Sequence, residues 1–203
     1  MIEGCKGCCV AVILVPVLCC ALVACAVIYV YTSGPEPPLS SHFKPNANDA
    51  LAFDNTITAA RNDAQASRGF TLWFSEKQLS SWMALEGKQF ADANGRSFPF
   101  TKVQVGLDKG NMTFYGELTR SSFTLPVEVV IRPEVDGAGK LKLAITSVDI
   151  GGVKAPDFVL KTVTRELEDK LISPFEQVGN YVLDPSSLSV SGGIFTVRGQ
   201  IVY

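Results

Sequence analysis

The residue types able to do chemistry are few in this chain, and their positions decide what it could catalyse. Histidine occurs once, at His42, within a proline-rich stretch. A Ser-His-Asp triad or an imidazole-based metal site inside the folded region is therefore excluded within one chain. All six cysteines (Cys5, Cys8, Cys9, Cys19, Cys20 and Cys25) precede residue 26. Cys5, Cys8 and Cys9 resemble a metal cluster or a palmitoylation site, but with no fourth ligand beside them they read as small apolar filler. Glu166, Glu168, Asp169 and Glu176 are dense enough to suggest the paired acids of glycoside hydrolysis. Charged residues on a helix normally face water, so a solvated helix face is the expectation there. Glu128, inside a strand pattern, falls on the solvent side of its alternation. Asn111-Met112-Thr113 fits a glycosylation sequon at a β-turn. Ser191-Gly192-Gly193 is glycine-rich but lies in a hairpin, which does not support a phosphate cradle. No nucleophile, base or metal set emerges, and the expectation is a protein without enzymatic activity or cofactor.

The element that must position everything else is Val10 to Tyr31, 22 consecutive residues without a charge. As a helix it rises about 33 Å, enough to cross a hydrocarbon core of roughly 30 Å. It reads first as an uncleaved signal anchor, with Tyr29 and Tyr31 at the interface. It is too long for a cleaved secretory signal. Leu22-Val23-Ala24-Cys25 resembles a lipobox, although apolar residues continue after Cys25 where a polar tether belongs. Lys6 precedes the segment and no Lys or Arg follows until Lys44, which favours an inside N-terminus and an outside domain. The expected division is residues 1–9 cytoplasmic, 10–31 transmembrane, 32–45 a Pro-rich linker and 46–203 one extracytoplasmic α+β domain. Ser33 to Pro45 carries four prolines and reads as a semi-stiff spacer that lifts the domain off the bilayer. A formal net charge of −2 offers no basic footprint for nucleic acid.

Within the domain, Asn46 to Ser67 predicts a helix with Ala50, Leu51, Ile57, Ala60 and Ala64 on one face, ended by Gly69. Phe70 to Phe74 predicts a strand running into a capping box of Ser75 and Gln78, with Phe74 and Leu79 as its hydrophobic staple. That second helix passes through Trp82, Met83 and Leu85 to about Phe90. Four alternating strands follow, turning at Asp108–Asn111 and Asp136–Gly139: Val103/Val105/Leu107, Met112/Phe114/Gly116/Leu118, Phe123/Leu125/Val127/Val129/Ile131 and Leu141/Leu143/Ile145. Pro126 in the third suggests an edge or bulge. Gly151 to Pro156 is expected to break the sheet. A helix with Leu160, Val163, Leu167 and Leu171 comes next, then one from the box Ser173-Pro174-Phe175-Glu176 carrying Phe175, Val178 and Tyr181. Leu188, Val190, a Gly192-Gly193 turn and Phe195, Val197, Ile201 and Tyr203 predict a closing hairpin.

This order, with "FSEKQLSSWM", "VDIGGVKAPDFVLKTV" and "SVSGGIFTVRG", resembles the YpmS-like family of bacterial membrane-anchored extracytoplasmic proteins. More remotely it is similar to envelope proteins of the tubular lipid-binding (TULIP) fold. The resemblance covers about Phe70 to Tyr203. It rests on a "T/S-E-x-x-L" helix start, matched by Ser75, Glu76 and Leu79, and a "G-x-x-x-P" joint, matched by Gly152 and Pro156. It implies a curved antiparallel sheet wrapped around helices, enclosing an apolar groove, and it brings no catalytic residue.

The expected ligand site is that groove, lined by Trp73, Phe74, Trp82, Met83, Leu160, Val163 and Leu167. The competing reading is that these side chains simply fill the core. Expected partners are the membrane through residues 10–31, a lipid or other hydrophobic ligand, or an envelope protein docked on a tethered scaffold module.

Overall fold

The computed structural model describes Leu22, Cys25, Tyr29 and residues 34–93, 100–120, 123–156 and 180–202. Helix α1 (Ala47–Ser67) opens on Asn46, whose side chain accepts the Asn48 N–H, and buries Ala50, Phe53, Ile57, Ala60 and Ala64. That spacing of three and four makes one stripe. Leu51 is not on it and is 57% exposed, because it lies about 100° around the helix from Ala50. The helix ends at Ser67 as expected, but the left-handed cap is Arg68 rather than the glycine. Arg68 takes the left-handed conformation (φ 63°) and gives its N–H to Ala64 O, while Gly69 already pairs with Gln200.

Strand β1 (Gly69–Ser75) buries Phe70, Leu72 and Phe74 and turns Thr71 and Trp73 outward. Helix α2 (Glu76–Ala93) follows with no loop. The capping box is formed: Ser75 N donates to Gln78 Oε1 at 2.8 Å and Gln78 N to Ser75 Oγ at 3.3 Å. Phe74 and Leu79 both enter the core, as the staple requires.

Strands β2 (Phe100–Asp108), β3 (Asn111–Arg120), β4 (Phe123–Val135) and β5 (Leu141–Ile150) pair in sequence order, all antiparallel. The β2–β3 turn has φ of 49° at Lys109 and 81° at Gly110, the hairpin geometry that glycine makes accessible. Register shifts at Thr101/Gln104 and Val130/Ile131 curve the sheet. Pro126 is tolerated because of its place. Its carbonyl accepts from Gly151 N, beyond the last β4–β5 pair, so its missing N–H falls where that ladder has ended.

Gly151 and Gly152 do not break the sheet. They turn the chain into β6 (Val153–Lys154), a fifth strand beside β5. Tyr181 is extended rather than helical: it starts β7 (Tyr181–Leu183), buried with its ring edge-on to Phe70. Three residues are too few to reveal a period of two, so the sequence hid this strand. A short 3-10 turn (Pro185–Ser187), capped by Asp184, leads to β8 (Ser189–Ser191) and β9 (Ile194–Ile201). Strand β9 is the spine of a second sheet, with β1 on one side and β7 and β8 on the other.

One core joins both sheets and both helices, from Phe53 and Ile57 through Leu72, Phe74 and Val197 to Val105, Leu107 and Ile131. The protein is α+β, and residues 34–202, where described, form a curved antiparallel sheet, a second smaller sheet and two α-helices. The expected helices from Asp157 and Ser173, with Leu160, Val163, Leu167, Leu171, Phe175, Val178 and the acidic set Glu166, Glu168, Asp169 and Glu176, lie outside the described residues. Of Val10–Tyr31, Leu22, Cys25 and Tyr29 are described, and they are helical and exposed. Among the described residues no helix is long and apolar enough to cross a membrane.

Candidate functional site

In an edge strand with one wet face, every second residue should be exposed. Strand β2 instead buries Val103, Gln104, Val105, Gly106 and Leu107 without interruption. Its outer face is covered by the proline-rich segment. Gln104 Oε1 accepts from Leu39 N (3.1 Å) and Ser40 N (3.2 Å), and its Nε2 donates to Ser40 O (2.7 Å). Gly106 lies under Pro38, where a Cβ would come within 2.7 Å of the ring, and Gly34 abuts Pro126 of β4. Residues 34–40, expected as a free spacer, are therefore a strap laid across the meander. Asn46 N donates to Ser81 Oγ at 3.1 Å, so the segment is tied down again as α1 begins.

The open side of β2 is closed by side chains. Val105 N donates to Ser80 Oγ at 2.7 Å and Leu107 N to Glu76 Oε1 at 2.7 Å. Glu76 and Ser80 sit one helical turn apart on α2, so they present acceptors at the spacing a neighbouring strand would offer. Both Ser80 and Ser81 are fully buried and hydrogen-bonded, as buried hydroxyls must be.

A polar row crosses the outer face of the five-stranded sheet: Gln104 beside Tyr115, then Glu128, Asp149 and Lys154. Burial raises the Tyr115 hydroxyl pKa, with the nearby Glu117 charge adding to it. Glu128 is half-buried rather than freely solvated. Its carboxyl is raised above the ordinary 4.5 by burial first and by facing Asp149 second. Among the described residues no group of three or more His, Cys, Asp or Glu side chains is placed to hold a metal. Asn111 of the sequon is half-buried, with its side-chain oxygen enclosed.

The expected groove residues divide. Phe74 is 0% exposed, stacked on Phe53 at 4.6 Å and on Phe195 at 6.3 Å, so it belongs to a closed core. Trp82 is half-buried, its ring 4.6 Å from Phe53 and its Nε1 donating to Asp54 Oδ1 at 3.1 Å. Met83 is half-buried against the same core. Trp73 is 51% exposed on the opposite face of β1 and cannot share a cavity with Phe74. Phe114, Val129 and Ile145, on the inner face of the meander, join Trp82 and Met83 as half-buried apolar groups around the core. Strand alternation had marked these three as inward, but it carries no information on how completely an inward face is covered.

A separate open depression of about 640 Å³ lies against β1, β9 and β7, with Asp63, Thr71, Val182, Asp184, Arg198 and Gln200 in its lining. The Asp184 carboxyl there is held below its ordinary range by hydrogen bonds from Ser186. No family model, curated protein or solved structure matches this chain.

Proposed function

We propose that the protein is a membrane-tethered extracytoplasmic domain that holds a lipid or similar apolar molecule against the inner face of its meander. The carrying observation is the incomplete cover of the core rim, where Phe114, Val129, Ile145, Trp82 and Met83 pack on one core and all stay half-buried. Apolar surface left partly in water gains about 25 cal/mol per Å² when a ligand covers it. The uncharged run from Val10 to Tyr31 and the likeness of Phe70–Tyr203 to YpmS-like proteins support the same reading. In this assignment Phe74 serves as core, and Trp73 lies outside the site.

The test is native mass spectrometry with lipid extraction on a fragment from Gly34 to Tyr203, which keeps the strap, purified without detergent. A bound mass of lipid size, removed by Val129→Trp, is the expected result. A clean apo mass after incubation with phospholipid vesicles would overturn the reading.

A further inference from the structure

Among the described residues, sheet edges are blunted with one exception. The β2 edge is met by Ser80 and Glu76 of α2. Strand β7 gives Leu183 N to Gly139 O, and β8 receives Gly110 N at Val190 O, so both close on hairpin turns of the other sheet. Strand β6 is two residues long and carries Lys154. These are the devices by which native sheets avoid pairing with other chains.

Strand β1, GFTLWFS, is met by side chains only at its ends, where Ser67 Oγ donates to Gly69 O and Ser75 N donates to Gln78 Oε1; between them it has no charge, no proline and no bulge. Its phase against β9 is set by Ile201 N donating to Arg68 O at 2.8 Å. Arg198, opposite Thr71, spends its N–H on Ser187 Oγ and its carbonyl on Asp184 N. Alternation then directs the N–H and C=O of residues 70, 72 and 74 toward β9 and those of Thr71 and Trp73 away from it. Both outward residues are exposed, and among the described residues nothing pairs with their backbone on that side.

We infer that this edge pairs with the same edge of a second copy of the chain, giving a two-fold dimer through one continuous antiparallel sheet. The edge is self-complementary. Setting Thr71 opposite Trp73 of the second copy satisfies the four outward backbone groups of these two residues on each strand and makes two aromatic–β-branched cross-strand pairs. Two unprotected edges of this kind satisfy each other without a foreign strand. The proposal goes beyond the lipid reading and stands whether or not a lipid binds.

The experiment uses the full chain in mild detergent, with native mass spectrometry across a dilution series and amide hydrogen exchange at Thr71 and Trp73. A dimer is expected, with both amides gaining protection as concentration rises. Thr71→Pro removes an N–H that makes no bond to β9, and Trp73→Lys puts a charge on the seam. Each is expected to weaken association by at least about tenfold. A wild-type chain that stays monomeric at about 100 µM would overturn the proposal. So would a dimer whose Thr71 and Trp73 amides exchange freely, or one that both variants retain. If Thr71→Pro fails to fold, Trp73→Lys and the exchange measurement decide the question.

Discussion

Glu128 shows how a single side chain departs from its sequence signal. Alternation placed it on the outer face correctly. Its environment depends on which residue β5 sets beside it, and that residue is Asp149. Burial and that neighbour hold its folded pKa above the ordinary 4.5, so between those two values the folded state binds more protons than the unfolded chain. Stability therefore falls as pH rises through that interval and stays at the lower level above it. Glu128→Gln should remove this slope and, at neutral pH, raise stability by less than about 1 kcal/mol after solvent screening. Urea midpoints measured from about pH 4 to about pH 8 check it. Equal slopes in both proteins would show that the carboxyl is not perturbed. Leu51 and Phe53 make the complementary case, in which an apolar residue next to the stripe reads as core until the helix phase is fixed by its partners.

At the scale of elements, α2 has two jobs that its amphipathic pattern does not separate. It contributes Leu79, Trp82 and Met83 to the core, and through Glu76 and Ser80 it stands in for a strand at the β2 edge. Ser80→Ala keeps helix propensity but leaves Val105 N–H buried without an acceptor. The expected loss is about 1–3 kcal/mol, read as a lower urea midpoint with unchanged slope. A neutral result would mean that water reaches that N–H. The capping box at Ser75 and Gln78 was legible because it is local, with donor and acceptor three residues apart. The strand role of Ser80 was not, since its partner is 25 residues away.

For the whole molecule, the strap changes where the domain begins. Residues 34–40 cover Gln104 and Gly106, so a fragment starting at Pro45 should be less stable than one starting at Gly34. The difference is expected to be about 1–3 kcal/mol, three hydrogen bonds net of the entropy of ordering the strap. Chemical unfolding of the two fragments side by side measures it, and equal midpoints would show that the strap only rests on the sheet. With the strap docked, Gly34 lies against Pro126 of β4, so the described part of the domain starts on the sheet rather than at α1.

The sequence by itself determined the elements whose signals are short-range: the span of α1, the Ser75 cap, the glycine turns at Lys109-Gly110 and Gly192-Gly193, and the α+β class. These follow from propensity, periodicity and turn chemistry within a few residues. Tertiary structure alone decided that the linker is a strap, that Gly151-Gly152 adds a strand and that Tyr181 is extended. Each depends on which distant backbone or side chain arrives alongside. Gln104 and Ser40 are 64 residues apart and β1 and β9 more than a hundred, and no local pattern encodes a meeting over that separation.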